Sequence, residues 1–361
     1  MTQNDNKSAI GSSHDSGNLR LDFYESGDGD TIIITFPGGG LGVVDAHPSP
    51  TSSRQDILDL IAGRKLHFVC LTHPHSDHGL DLVPVLQKHP EVDEFWHTTP
   101  DVGAFIYRLQ EIQTWPSEVR EFAVRMAKGW ASFLIDLWAE VDRRDMPMHQ
   151  VRAGDEAREF DGVLVHALAP EEAVQQRFFQ FWCHKAEDPT LEKPDPNLLS
   201  AVFALRWGES VVLLGADALK ANWIQAVKRY RKLNLPKAVV LKVPHHGALN
   251  SLQLETHSKY PSYLDICSHK DQKCKAVLFA GDSKHPNSKV YDRLLARTDV
   301  HCLVNGLRSA TPGRDLGIEL EGARPVSTGR PCQPVVSFEL AREGSVQVLA
   351  GVTCSHCPFA P

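Results

Sequence analysis

The chain has no run of about 18 apolar residues, so nothing in it is long enough to cross a bilayer as a helix, and no membrane association is expected. Residues 1–18 are polar and carry no apolar core of the kind a secretory signal needs. They are expected to be a disordered leader. Without such a signal, the eight cysteines in 361 residues read as reduced thiols of a cytoplasmic protein rather than a disulfide framework. No G-x-S-x-G occurs, so a serine nucleophile elbow is excluded, and there is no internal repeat. An excess of positive charge is missing too. The formal net charge of −7 argues against broad binding to long nucleic acid, while leaving room for a local basic patch. Lys228-Arg229-Tyr230-Arg231-Lys232 is such a cluster, read first as a solvated helix face whose cations complement the helix C-terminus.

What is present is an ordinary globular composition, 42% hydrophobic and 23% charged, with sheet and helix signals in alternation. Strands are expected at 31–36, 41–46, 68–73, 94–98, 163–168, 200–207, 211–217, 238–244, 276–281, 301–306, 335–340 and 345–350. Helices are expected at 52–63, 79–89, 101–145, 219–233 and 288–297. One domain over 19–361 fits better than two, with a helical insertion at 101–149 and a C-terminal extension at 308–361.

The densest chemistry is His73-Pro74-His75-Ser76-Asp77-His78, directly behind the apolar run Phe68-Val69-Cys70-Leu71. Alternate residues of an extended segment face the same way, which would let His73, His75 and Asp77 converge while His78 serves a neighbouring ion. Imidazoles and carboxylates are the usual ligands of catalytic Zn(II), Mn(II) or Fe(II). Three further apolar runs end in metal-type residues: Leu41–Val44 before Asp45, Val211–Ala216 before Asp217, and Ala238–Val243 before Pro244-His245-His246-Gly247. Open α/β sheets place their sites at such strand ends.

This order resembles the metallo-β-lactamase fold superfamily: a strand-end Asp, then HxHxDH, a His, an Asp and a final His. Three stretches, Leu71 to Gly79, Asn197 to Asp217 and Leu241 to Ser251, are most similar to the hydrolase (nuclease) domain of the ComEC/Rec2 competence proteins. The resemblance implies a four-layer αββα sandwich and two divalent ions, Zn(II) expected and Mn(II) the alternative. His73 and His75 would hold the first ion, Asp77 and His78 the second, and Asp217 would bridge them. His246 matches the final His, with His245 as fallback. The superfamily's middle His has only His166 as a weak candidate, so the first ion keeps an open position or borrows a ligand from elsewhere. Asp45 would orient a ligand from behind, or cap the turn at Ala46-His47-Pro48. Ala216 and Ala248 stand where the family carries Gly and Ser.

Two such ions about 3.5–4 Å apart acidify a shared water to hydroxide and neutralise charge on the attacked oxygen. Asp77 and the late His285-Pro286 are the catalytic candidates, His285 as a proton donor, with Lys284, Ser283 and Asn287 as phosphate contacts. The resemblance favours phosphodiester cleavage in a nucleic acid or nucleotide; the alternative is an acyl substrate such as a lactone, thioester or β-lactam. For that alternative the aromatic residues Phe178, Phe179, Phe181 and Trp182 would line a pocket, unless they form a helix packed on the sheet. Phe105, Leu109, Trp115, Phe122, Met126, Trp130, Phe133, Leu137 and Trp138 recur at helical spacing around Pro116. They suit a lid, a homo-oligomer surface or an extra core layer. Cys354-Ser355-His356-Cys357 resembles half of a structural zinc site, which Cys332 or Cys302 would complete.

Overall fold

The computed structural model describes residues 17–24, 26, 29–48, 54–89, 91–111, 131–185, 188, 190–253, 260–267, 273–280, 285–304 and 335–350. Its strands are β1 (Leu19–Tyr24), β2 (Ile32–Thr35), β3 (Leu41–Val44), β4 (Leu66–Leu71), β5 (Val92–His97), β6 (Met148–Gln150), β7 (Arg158–Phe160), β8 (Val163–Ala169), β9 (Val202–Trp207), β10 (Ser210–Leu214), β11 (Val240–Lys242), β12 (Cys274–Ala280), β13 (Thr298–Val304), β14 (Val335–Leu340) and β15 (Val346–Ala350). They form two mixed sheets, ordered β15-β14-β1-β2-β3-β4-β5-β6 and β13-β12-β11-β10-β9-β8-β7. In each sheet an antiparallel half meets a parallel half: β3 through β6 run parallel in the first, and β10 through β13 in the second.

Burial defines the layers. Alternate residues of a strand point to opposite faces, so Ile32, Ile34, Phe68 and Trp96 enter one core with Phe203, Val212, Val240 and Phe279 of the other sheet. Phe68 and Trp96 stack there at 4.1 Å, and Trp96 reaches Phe203 across the gap at 5.8 Å between ring centres. The opposite face of the first sheet, through Ile33, Val43, Val69 and Phe95, packs on helices. The outer face of the second, through Leu213, Leu241 and Ala276, packs on Trp223, Val227 and Leu294 of Lys220–Lys232 and Ser288–Arg297. Three apolar layers between four layers of elements make the expected αββα sandwich. Both faces of the central strands are buried, which is why they read as continuous apolar runs.

Two insertions are settled in part. The helices Val102–Glu111 and Ala131–Arg143 occupy the ends of the 101–145 region, and Phe105, Phe133, Leu137 and Trp138 are buried within the chain's own core. Trp115, Pro116, Phe122, Met126 and Trp130 lie outside the described residues, as do Ser283, Lys284, Cys332, Cys354 and Cys357. The aromatic stretch after Pro170 is the helix Glu172–His184, whose Phe178 and Trp182 pack against Phe105 while Phe181 packs on Trp182. Among the described residues no helix is long and apolar enough to cross a membrane.

Candidate metal centre

The parallel halves of both sheets end at one edge, and there the chain turns sharply. Strand β4 ends at Leu71, two residues before the first histidine. His75 is extended (ψ 146°) and Ser76–Gly79 forms one helical turn. The expectation of a continuous extended segment through Asp77 is therefore corrected. The turn takes Asp77 and His78 out of the extended run but keeps the His78 ring beside His73, 4.2 Å between ring centres, while His73 Nε2 meets His75 Nδ1 at 3.0 Å. The turn needs room as well. A Cβ on Gly29 would fall 1.8 Å from the Asp77 carbonyl oxygen, so only glycine lets the segment before β2 pass behind the histidine loop.

Asp45 organises this loop from below. It is 1% exposed, and its Oδ1 accepts the Thr72 amide at 2.8 Å. Its Oδ2 accepts the Thr72 hydroxyl and Nδ1–H of His78, both at 2.7 Å. Having given its only proton to Asp45, the Thr72 hydroxyl accepts from Nδ1 of His73 at 3.2 Å. One carboxylate thus fixes the tautomer of two imidazoles and turns both Nε2 lone pairs outward. Its oxygens accept from Thr72 and His78 and not from the turn at Ala46-His47-Pro48, where the Ala46 amide donates to the His78 carbonyl and the His47 amide to the Thr31 hydroxyl. Asp45 itself is left-handed, with φ 55°.

From the second sheet, Ala216 (φ 40°) turns the chain after β10 so that Asp217 faces back to the loop. Ala216 adopts the left-handed conformation that glycine would supply at lower cost. Asp217 Oδ1 lies 3.6 Å from His78 Nε2 and 3.6 Å from His246 Nε2, and its Oδ2 lies 3.9 Å from His245 Nε2. Two consecutive left-handed residues, His245 (φ 47°) and His246 (φ 50°), present both rings to one carboxylate. Such conformations cost about 1–2 kcal/mol per residue and cluster at working sites. His246 Nδ1–H donates to the Phe279 carbonyl at 3.2 Å, again leaving Nε2 to face the acid.

Ligand atoms of Asp77, His78, Asp217 and His246 lie within 4.8 Å of one another. Asp217 Oδ1, His78 Nε2 and His246 Nε2 are buried without a hydrogen-bond partner. Buried polar atoms are ordinarily satisfied; three converging on a gap too wide for a hydrogen bond fit a divalent ion that accepts from all of them. Electrostatics agree. Burial opposes the charge of Asp217, yet His246, His78 and Lys242 hold its carboxyl well below the usual range. Burial likewise opposes a charged His78, but Asp45 and Asp217 raise it well above the ordinary imidazole value. Burial lowers His73, His75 and His245, His73 furthest, keeping them neutral and ready to ligate.

The remaining candidates divide. His285 sits beside His245, with 5.7 Å between ring centres. Asn287 caps the helix Ser288–Arg297, its side-chain oxygen taking the Lys289 amide at 3.1 Å, so that oxygen is committed to the helix rather than to phosphate. His166 is on β8 opposite Ala204 and belongs to neither group of converging ligands. Three site residues escape a reading by motif. Thr72 and Asp30 carry no pattern. Lys242 did leave a signal, as a lone lysine inside the apolar run Ala238–Val243.

No family model matches the chain, and no curated protein matches it. Similar solved structures include CmlA, a diiron β-hydroxylase from Streptomyces venezuelae, at 14% identity over 63% of this chain and TM-score 0.37. That match spans about a third of CmlA, 34% of its chain. Igni18, a metallo hydrolase from the archaeon Ignicoccus hospitalis, is similar at 12% identity over 79% of this chain and 96% of its own, TM-score 0.42. A diphosphatase of the PhnP family is similar at 13% identity over 63% of this chain and 86% of its own, TM-score 0.30. Identities this low leave function to be read from the site itself.

Proposed function

We propose that this protein is a dinuclear metal-dependent hydrolase that cleaves phosphodiester bonds in a nucleic acid or nucleotide, with zinc as the preferred metal and manganese the alternative. The observation that carries the reading is the convergence of His78 Nε2, His246 Nε2 and Asp217 Oδ1, all buried and none hydrogen-bonded. Asp77, His78 and His246 would hold one ion and His73 and His75 the other. His245, set against the second oxygen of Asp217, would supply a third nitrogen to that other ion in place of the superfamily's middle His, and Asp217 would serve both. Bound there, the ions would acidify a water and offset charge on the attacked phosphoryl oxygen.

The chain's own groups do the rest. Asp45 keeps His73 and His78 in the tautomers that ligation needs. Asp77 is the one partly exposed member of its group and stands nearest to solvent and incoming substrate. His285 beside His245 holds the proton for the departing oxygen. An acyl substrate has less support, because Phe178, Phe181 and Trp182 are buried against neighbouring elements, and half-buried Phe179 faces a cleft whose other lining residues include the polar Arg152, Glu172 and Gln175.

Metal analysis combined with turnover of bis(p-nitrophenyl) phosphate and of a simple lactone tests the proposal. About two transition-metal equivalents per chain with phosphodiester turnover, lost in Asp217→Ala, is the expected result. Lactone turnover alone would move the assignment to acyl hydrolysis, and a chain that takes up no metal after reconstitution would end both readings.

A further inference from the structure

Lys242 is fully buried, at 0% exposure, on the central strand β11 of the second sheet. Lysine is almost never buried unless paired, and here it lies next to a candidate cation centre, where a fixed positive charge calls for a reason. Its side chain shares the inter-sheet side with Val240, two residues before it on the strand, and it crosses that layer. The ammonium forms an ion pair with the buried Asp30 of the segment before β2 and lies 5.6 Å from the Phe279 ring centre. It donates to the Ala216 carbonyl at 2.8 Å and stands 3.7 Å from Asp217 Oδ1. The same carbonyl accepts the His245 amide at 3.0 Å. One peptide oxygen therefore ties together the turn that aims Asp217 and the turn that aims His245 and His246.

Asp30 also belongs, with Asp45 and His78, to a second fully buried group whose ligand atoms lie within 4.8 Å of one another. By donor type that group resembles a third metal position. The ammonium of Lys242 already supplies its positive charge.

We propose that Lys242 is a built-in cation of the centre, a positioning residue that takes the cation place beside Asp30 and, through the Ala216 carbonyl, holds Asp217 and His245 in the geometry the metal ions require. The inference rests on the dinuclear reading above. It assigns no substrate contact to Lys242 and goes beyond the ligand set, because it makes metal binding depend on a residue that binds no metal. It also accounts for the left-handed Ala216: a bond to each of two donors steadies a conformation that alanine rarely adopts.

The test is metal affinity, measured by competition with a chromophoric chelator, together with the visible spectrum of the Co(II)-loaded protein. Lys242→Met and the paired Asp30→Asn/Lys242→Met variant are compared with the parent chain. Loss of groups that orient ligands typically weakens metal binding about 10- to 100-fold. Both variants are expected to show a loss of that order and a shifted Co(II) spectrum. Lys242→Gln, which keeps a donor for the Ala216 carbonyl, should recover part of the affinity. If the paired variant binds metal like the parent, Lys242 merely neutralises Asp30 and the proposal falls. Should Lys242→Met not fold with Asp30 left charged, the paired variant and Lys242→Gln still decide. A parent chain that binds no metal would instead overturn the dinuclear reading, and this proposal with it.

Discussion

Asp45 and Asp217 occupy matching places in the two sheets. Each follows a parallel strand, β3 or β10, each is nearly fully buried, and each is aimed by a left-handed residue at the turn, Asp45 itself or Ala216. They differ in what their oxygens meet. Those of Asp45 accept bonds from the Thr72 amide, the Thr72 hydroxyl and His78. Asp217 Oδ1 has no hydrogen bond, and four nitrogens, of Lys242, His78, His245 and His246, stand 3.6–3.9 Å from the carboxylate. A buried acid satisfied by the protein is a scaffold; one left unsatisfied among imidazoles is waiting for a cation. On the proposed reading, the same residue type at equivalent sheet positions would serve orientation on one side of the centre and ligation on the other.

Breaking the Asp217 side should have the largest effect. On the proposed reading Asp217→Ala removes the group that both ions would share, so elemental analysis should find little bound metal, and phosphodiester turnover should fall by about 10³-fold or more. Asp45→Asn keeps the volume but exchanges two acceptor oxygens for one. It leaves His73 and His78 in uncertain tautomers, and chelator competition should show a loss of about 10- to 100-fold in affinity for both ions. If Asp45→Asn were harmless and Asp217→Ala merely destabilising, the division between scaffold and ligand would collapse. A finer cut compares the adjacent histidines. His246→Ala should cost one metal equivalent and His245→Ala the other, so cobalt spectra of the two variants should differ. A variant whose spectrum matches that of the parent would mean that its histidine binds no metal.

Proton linkage sharpens the contrast without mutation. Asp45 and Asp217 raise His78 above the ordinary imidazole value, so in chelator-treated protein the folded state holds a proton that the unfolded state releases near pH 6.5. That stabilisation is complete below pH 6.5 and is lost as pH rises through the folded value. Metal competes for the same imidazole and binds more tightly as pH rises. The melting temperature of chelated protein should therefore fall between neutral and alkaline pH while metal affinity climbs. Asp45→Asn should flatten the first of these trends.

How much of this was legible in the sequence follows from how local each feature is. The sandwich was readable because its central strands are buried on both faces and spell continuous apolar runs, as in Val211–Leu214 and Phe68–Leu71. The strand Leu19–Tyr24 was missed because Arg20 and Asp22 interrupt its pattern, and their polarity is answered only in three dimensions. Arg20 and Ser337, the latter 315 residues away, both donate to Asp22. The ligand candidates 73–78 lie within six residues and could be named. The bonds from Thr72 to Asp45 and from Lys242 to Ala216 join distant segments, and no spacing rule encodes them. The helical turn at Ser76–Gly79 was hidden for the opposite reason. It is so short that only its packing against Gly29 reveals it.

The smallest expected effect concerns His166. Its Nε2 is buried and without a hydrogen-bond partner, like that of His246, so an orphaned nitrogen alone would nominate both. Yet burial lowers the pKa of His166 with only Arg206 adding to the effect, and among the described residues it belongs to no converging group of ligand atoms. Ligation needs several lone pairs meeting at one point, and a single buried nitrogen contributes at most a weak local strain. His166→Gln should leave metal content and turnover within about twofold of the parent, changing stability by roughly 1 kcal/mol in either direction. Loss of a metal equivalent in that variant would mean that β8 moves toward the centre when ions bind. The first ion would then take its third nitrogen from His166 rather than from His245.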